Sequence, residues 1–151
     1  MKHTNRIAGV TQVFGALLVA LALSTFSVAG AAHAESTLYD RMGGEAKMRS
    51  VVEDFTNVVL ADERLNFTFA NADIPKFKKL LFEQLCNLAG GPCQYTGRSM
   101  KESHEKLNST NAQFNALAED LYIAFERNHV PYRLQNQLMV LLAPMQEDIV
   151  K

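Results

Sequence analysis

The sequence predicts an all-α domain. Apolar side chains recur at helical spacing through most of the chain after residue 34, and no segment alternates apolar and polar residues for long enough to indicate a strand. Capping residues or proline stand where several of these stretches begin, and glycine pairs stand where two of them end. We therefore expect four main helices joined by loops and shorter helices.

The first 34 residues carry a basic start, an apolar run and small residues at the end. Lys2 and Arg6 supply the positive charge, and the apolar run covers residues 13–28. Ala32 and Ala34 form the Ala-x-Ala pattern that precedes the cleavage site of a secretory signal peptide. The run falls short of the roughly 18 to 20 apolar residues that span a bilayer, although an uncleaved anchoring helix is the alternative. We expect cleavage after Ala34 and a secreted or periplasmic protein that has no membrane span after cleavage.

Cleavage would leave one domain over residues 35–151, which is 117 residues long. A chain of this size buries roughly two-thirds of its unfolded surface, which is enough for one core. The loss of Lys2 and Arg6 lowers the basic count from 15 to 13 against 16 acidic side chains, so the net charge is −3. Neither this balance nor any basic block favours nucleic acid as a partner.

Two helices are predicted before residue 62. Ser36 can cap a short first helix that ends at Gly43-Gly44, because glycine adopts the left-handed conformation of a helix stop without steric cost. A second helix is expected over residues 45–61, and one of its faces is apolar. That face consists of Met48, Val51, Val52, Phe55 and Val59.

A third helix is predicted after a loop over residues 62–72. Asp73 is an N-cap, and Pro75 stands in the first turn, where the missing N–H of proline costs nothing. The helix runs to Ala89 and stops at a glycine pair, residues 90–91. Its apolar face consists of Ile74, Phe77, Leu81, Leu85 and Leu88.

Three further helical segments follow. Ser99 and Glu102 have the spacing of a capping box, which starts a short helix. A longer amphipathic helix is expected over residues 110–127. Pro131 begins the last helix, which we expect to kink at Pro144.

His104 lies in the short helix and is one of two histidines that remain after cleavage. It stands three residues before Leu107 and four after Met100, so it points along the inner, apolar side of the helix. A neutral imidazole there needs a partner for its ring nitrogens, and a metal ion is one such partner. A core or surface histidine with an ordinary hydrogen bond is the alternative. The other histidine, His129, belongs to a predicted surface turn.

Other site chemistries find no matching pattern in the sequence. Zinc requires three or four clustered ligands, and the mature chain offers two histidines and two cysteines without such a cluster. The Cys-x-x-Cys-His motif for covalent haem attachment is absent, as are the Gly-x-Ser-x-Gly elbow, the phosphate-binding loop and His-Glu-x-x-His. Hydrolase and nucleotide-binding functions are therefore disfavoured.

Several short motifs follow one another at characteristic spacing. They are Leu38-Tyr39-Asp40-Arg41-Met42-Gly43-Gly44, Val51-Val52-Glu53-Asp54-Phe55, Leu60-Ala61-Asp62, Gly90-Gly91-Pro92, Tyr95-Thr96-Gly97, Met100-Lys101 and His104. Together, from Leu38 to about Val150, they resemble a truncated haemoglobin of group I. The resemblance implies the truncated globin fold, a two-over-two helical sandwich enclosing non-covalent haem b.

The resemblance also implies roles for individual residues. His104 falls on the proximal histidine, the axial ligand to the haem iron. Phe69 falls on the aromatic residue that wedges against the porphyrin, and Phe55 falls on the phenylalanine just before the family's distal tyrosine. Four further residues match pocket-lining positions, with plain core packing as the alternative: Leu85, Met100, Phe114 and Leu117.

The departures from the family pattern concern the distal side of the haem. Thr56 stands where many members have a tyrosine that donates a hydrogen bond to bound oxygen, and Phe77 and Leu81 stand where polar residues are common. The resemblance therefore implies a mostly apolar distal pocket in which Thr56 is the nearby hydroxyl, and faster oxygen release than in tyrosine-bearing relatives. A bond from Thr56 back to its own helix is the alternative. For Lys78 and Lys79 ordinary solvation is favoured. The alternatives are pairing with haem propionates and, if the helix register differs, contact with the iron.

The chain has two cysteines, Cys86 and Cys93. An even number of cysteines in a protein expected to reach an oxidising compartment favours a disulfide. One lies near the end of the third helix and the other just past the glycine pair. A bridge would close a short loop and tie the third helix to the segment that leads to His104. Buried free thiols are the alternative.

The leading hypothesis is an exported haem protein that reversibly binds a diatomic gas, oxygen, NO or CO, at an iron held by His104, as in oxygen binding or transport. NO oxidation and a weak peroxidase-like activity are further hypotheses, and they involve a reductase that the sequence does not identify. From a different class, the alternative is a non-haem globin-like module for protein interaction or sensing. A third hypothesis is an envelope haem carrier.

Overall fold

The computed structural model describes residues 35–151, and the predicted signal peptide lies outside the described residues. Helices and loops make up this described part, which contains no β-strand. The α-helices are α1 (Leu38–Arg41), α2 (Gly44–Ala61), α3 (Ile74–Leu88), α4 (Met100–His104), α5 (Asn111–Arg127), α6 (Tyr132–Leu142) and α7 (Gln146–Ile149). Two short 3-10 helices cover Asn66–Phe69 and Ala143–Met145. The predicted all-α fold with four main helices, α2, α3, α5 and α6, is confirmed.

α1 has a different cap from the one predicted. The Thr37 hydroxyl accepts a hydrogen bond from the Asp40 N–H at 3.1 Å, and the Asp40 carboxylate accepts one from the Thr37 N–H at 3.2 Å. Such a capping box needs a side-chain acceptor three residues after the cap. Ser36 has Tyr39 at that distance, so the prediction that Ser36 is the cap was wrong.

The next helix boundaries follow the predicted signals. Gly43 and Gly44 join α1 to α2 with φ angles of 105° and 66°, in the left-handed region that favours glycine. The Asp73 carboxylate caps α3 by accepting a hydrogen bond from the Lys76 N–H at 3.1 Å. Thr110 caps α5 with a capping box of its own. These signals are local in sequence, which is why they predict the boundaries well.

α6 ends at Leu142, before the predicted kink at Pro144. Residues 143–145 form a 3-10 turn, and α7 follows from Gln146. Proline lacks the N–H that an α-helix requires, and its ring clashes with the carbonyl one turn earlier. The expected kink is therefore a break between two helices.

The core lies among α2, α3, α5 and α6. α2 packs against both α3 and α5, and α6 packs against α1, α3 and α5. Among the most deeply buried side chains are Val51, Val59, Leu85, Cys86, Phe125 and Leu138. α4 contributes no fully buried residue and packs mainly against α7, so it forms a wall beside the core. No helix within residues 35–151 is long and apolar enough to cross a membrane.

Candidate functional site

α4 carries His104 as its last residue. A capping box holds the start of this short helix: the Ser99 hydroxyl accepts a hydrogen bond from the Glu102 N–H at 3.2 Å, and the Glu102 carboxylate accepts one from the Ser99 N–H at 3.0 Å. A helix this short is not stable by itself in water. The cap therefore helps to set where α4 begins and which face carries His104.

The His104 imidazole is half-buried, and its Nδ1 atom lies 2.7 Å from the carbonyl oxygen of Met100. A carbonyl only accepts hydrogen bonds, so Nδ1 must carry the proton in this contact. The neutral ring then has its lone pair on Nε2. Metal-binding histidines are oriented in this way, with one nitrogen donating to the protein and the other facing the metal.

A cleft of about 60 Å³ lies beside His104. Phe69, Phe114 and Leu117, which the sequence assigned to the haem pocket, line the cleft together with His104. Sequence reasoning missed the rest of the lining, which consists of Leu65, Thr68, Leu107, Ser109, Gln113 and Ile149. Leu107 stands three residues after His104, and this helical spacing could have placed it beside the histidine. Ile149 reaches the cleft because α7 packs against α4, which no local pattern indicates.

The residues at this cleft fit haem in kind. The His104 imidazole has an available lone pair, and most of the other side chains that line the cleft are aromatic or aliphatic. Within residues 35–151, no group of three or more His, Cys, Asp or Glu could hold a metal ion, so a metal at His104 must bring most of its own ligands, as the iron of a porphyrin does. The cleft is smaller than the roughly 300–1,000 Å³ of ordinary small-molecule sites. The cleft is therefore only part of the space that a macrocycle bound at His104 would fill.

Five residues assigned to the haem pocket from the sequence lie outside the lining of this cleft: Phe55, Phe77, Leu81, Leu85 and Met100. Phe77 and Leu81 are half-buried residues of α3 that pack against the core. Phe77 is joined to the cleft wall, since its ring meets Phe69 edge to face with the centroids 5.1 Å apart. Leu85 and Phe55 are core residues with 0% and 3% exposure. Core packing and contact with haem overlap in a pocket of this kind, so the assignment of these two residues to the pocket stays a prediction.

Met100 is the first residue of α4, and its sulfur contacts Gln84, a residue that the sequence analysis did not single out. The Gln84 Nε2 atom of α3 lies 3.2 Å from the Met100 Sδ and 3.4 Å from the Met145 Sδ. Gln84 stands three residues after Leu81, so the helical pattern already placed it near the apolar face of α3. It links α3 to the start of α4 through a half-buried amide.

Thr56 does not have the donor role expected for a distal ligand contact. It is buried, with 1% exposure, and its hydroxyl donates a hydrogen bond to the Val52 carbonyl oxygen at 2.7 Å. A threonine hydroxyl has one proton to donate, so this bond leaves none for a bound gas. The alternative given by the sequence, a bond back to the same helix, is the arrangement observed.

The cationic side chains considered as partners of haem have other contacts. Lys78 donates to both carboxylate oxygens of Glu53 at 2.7 Å, and Lys79 lies 3.1 Å from the Glu83 carboxylate. Both lysines therefore have protein carboxylates as partners, whereas the sequence favoured ordinary solvation. His129 is exposed in the turn after α5, with a φ of 54°, as expected of a surface residue.

Cys86 and Cys93 are joined by a disulfide, with their Cα atoms 5.7 Å apart. Cys86 is a fully buried residue of α3, whereas Cys93 is half-buried in the segment leading to α4. Asn87 supports the same connection by donating a hydrogen bond from its side-chain amide to the Cys93 carbonyl oxygen at 3.1 Å. The bridge therefore ties the end of α3 to the chain that carries His104.

Removing this bridge with the double substitution Cys86→Ala and Cys93→Ser is expected to lower the free energy of unfolding of the mature apoprotein. The chain-entropy model gives about 2.5 kcal/mol for a loop of about eight residues. Urea unfolding with and without reductant measures the effect, and the double variant is the control because reductant should not change it. Alkylation of both thiols in the denatured, unreduced wild-type protein would contradict the bridge.

Known proteins share both the sequence and the fold of this chain. Residues 37–151 match the family of bacterial-like globins. The group 1 truncated haemoglobin of Tetrahymena pyriformis is 32% identical over 114 residues, which cover 76% of this chain and 94% of the relative. The group 1 truncated haemoglobin of Mycolicibacterium paratuberculosis is also 32% identical over 114 residues, covering 76% and 84% of the two chains.

The solved structures agree with this relationship. The crystal structure of the Tetrahymena pyriformis protein in its Fe(III) form superposes with a TM-score of 0.74 at 32% identity, covering 76% of this chain and 98% of that one. The 2/2 haemoglobin of Synechococcus, whose structure contains covalently attached haem, superposes with a TM-score of 0.72 at 30% identity and the same coverage. The chain therefore belongs to the bacterial-like globins and, within them, to the group 1 truncated haemoglobins.

Proposed function

We propose that this protein is an exported haem protein that reversibly binds a diatomic gas at an iron held by His104. Membership of the truncated haemoglobins supports haem-based gas binding. The observation that carries the assignment of His104 is its hydrogen bond to the Met100 carbonyl, because that bond puts the proton on Nδ1 and leaves the Nε2 lone pair for a metal.

The cofactor we propose is haem b, bound without a covalent link. Bound haem would supply an iron that His104 would hold and that could bind a small gas molecule. The chain contains no Cys-x-x-Cys-His motif, and its two cysteines bond to each other. The cleft residues Phe69, Phe114 and Leu117 would hold the macrocycle by apolar contact and exclude water from the His104 side.

We propose that the distal side is apolar and holds its ligand without a strong hydrogen bond. Phe77 and Leu81 offer no donor, and the Thr56 hydroxyl already donates to Val52. Oxygen gains more from a distal donor than CO or NO does, so oxygen should dissociate faster than in tyrosine-bearing relatives. Two secondary activities, NO oxidation and peroxide reduction, require an external electron donor, and a reductase is proposed as a partner for that reason.

Export to the periplasm or the medium is proposed from the first 34 residues. The Cys86–Cys93 disulfide supports it, because structural disulfides persist mainly in oxidising compartments. Expression of the full chain followed by cell fractionation tests the proposal. The expected product is outside the cytoplasm and begins at Glu35, and a cytoplasmic chain that retains Met1 would contradict it.

The gas-binding proposal is tested on the mature protein, residues 35–151, loaded with haem. We expect one haem per chain, a Soret band, and a shift of that band when the reduced protein meets CO. A chain that binds no haem would leave the non-haem interaction or sensor module as its function. Rapid surrender of haem to an acceptor apoprotein, without a stable CO complex, would favour a haem carrier.

A further inference from the structure

The connection between α3 and α4 has a further anchor besides the disulfide and the side chains of Asn87 and Gln84. The Glu83 carboxylate of α3 accepts two hydrogen bonds through one oxygen, from the Thr96 N–H at 3.1 Å and from the Thr96 hydroxyl at 2.7 Å. Lys79 lies 3.1 Å from its other oxygen. The Glu83 side chain is only 14% exposed, so these contacts replace most of its hydration. The pKa of its carboxyl is lowered, chiefly by the Thr96 hydroxyl, as expected of an acceptor held in its charged form.

The chain from Thr96 to His104 has little freedom once Thr96 is held. The Tyr95 hydroxyl donates to the Arg98 carbonyl oxygen at 2.7 Å, which closes a tight turn. A side chain at Gly97 would come within 2.3 Å of that hydroxyl, so any residue larger than glycine would displace the Tyr95 ring. The next residue after Arg98 is the Ser99 cap of α4. Movement of Thr96 relative to α3 would therefore carry α4 with it.

We propose that Glu83 is a positioning residue for haem coordination. Its carboxylate holds Thr96 against α3, and the stiff segment over residues 96–104 transmits that position to the His104 ring. The position of the His104 ring relative to α3 is thereby set. The inference rests on the proposed function, since it assumes that His104 binds the iron.

Three substitutions separate this role from a general effect on stability. Glu83→Ala removes both bonds to Thr96, whereas Glu83→Gln keeps an amide oxygen that can accept them and loses the charge. Glu53→Ala is the matched control, because it breaks another carboxylate–lysine contact to α3, that with Lys78, without touching the connection to α4.

The test uses the haem-loaded mature protein. We expect Glu83→Ala to speed haem transfer to an acceptor apoprotein by about tenfold, the lower end of the effect of removing supports around a metal ligand. The iron–histidine vibrational band of the reduced protein should shift or broaden. Glu83→Gln should restore most of both properties, and Glu53→Ala should leave them unchanged. The proposal is wrong if Glu83→Ala matches Glu53→Ala in haem transfer and in the vibrational band.

A measurement without haem keeps the two proposals apart. In the apoprotein, the NMR resonances of the His104 ring should move in Glu83→Ala and stay in place in Glu53→Ala. If the wild-type chain bound no haem, the proposed function would fail while these resonances still reported on the link from Glu83 to His104. If Glu83→Ala does not fold, Thr96→Val serves instead, because it removes only the hydroxyl bond. Unmoved His104 resonances in that variant would overturn the link.

Discussion

Replacing His104 with glycine is expected to release haem more than about 100-fold faster than wild type, since loss of the residues that merely support a metal ligand already costs about 10- to 100-fold. The histidine-ligated spectrum of the reduced protein should disappear. The reason is chemical: the other side chains that line the cleft are aliphatic, phenyl, hydroxyl or amide groups, and none of them is a usual ligand of haem iron.

Added imidazole makes this experiment specific for ligation. Glycine removes the whole ring, so free imidazole can enter the space and restore the spectrum if the ring's only task is to bind iron. His129→Ala is the matched control, because His129 is exposed in the turn after α5 and its loss should change nothing. An unchanged spectrum in His104→Gly would mean that another group binds the iron.

Much of the fold could be predicted because its signals are short-range. The caps at Asp73, Ser99 and Thr110 each involve a side chain and an N–H three residues away, so the sequence carries the whole interaction. The error at Ser36 has the same origin, since Thr37 is also a good cap and has the matching acid, Asp40. The correct cap of α1 can be recognised from the sequence if the residue three positions after each candidate is considered together with it.

The site could be predicted in part. His104 and its neighbours Phe69, Phe114 and Leu117 were identified through the family resemblance, and the structure brings them to one cleft. Ile149 was missed because it reaches the cleft through packing of α7 against α4, a contact between distant parts of the chain. Such contacts depend on how helices pack, and helical periodicity alone does not reveal them.

The partners of three polar side chains could not be decided from the sequence, which left more than one possibility for each. For Thr56, Lys78 and Lys79, the alternative partners can be reached from the same backbone position. They differ only in the rotamer of the side chain. The structure selects Val52, Glu53 and Glu83 as their respective partners. The first choice has the largest consequence for the proposed ligand binding, because it occupies the one proton that the Thr56 hydroxyl can donate.

Thr56→Tyr is expected to slow oxygen dissociation from the reduced, haem-loaded protein by about 2- to 150-fold, the range that corresponds to one hydrogen bond of about 0.5–3 kcal/mol. The tyrosine hydroxyl lies at the end of a longer side chain and cannot make the short bond to Val52 that occupies the threonine. Because Thr56 is fully buried, the larger ring should also lower stability by about 1–3 kcal/mol through overpacking. Stopped-flow measurement of oxygen release gives the first effect, and thermal unfolding gives the second.

Thr56→Val is the variant that separates the two possible roles of the native residue. It keeps the shape of the side chain and removes only the hydroxyl, so oxygen release should stay at the wild-type rate if that hydroxyl serves its own helix. Suppose that oxygen release is slower in Thr56→Tyr and unchanged in Thr56→Val. The distal side of the native protein then lacks a hydrogen-bond donor to oxygen, although a donor placed at position 56 can reach the ligand. Faster release in Thr56→Val would instead mean that the hydroxyl leaves Val52 and turns to the ligand when oxygen binds, so the helix bond would be the resting partner of a mobile donor.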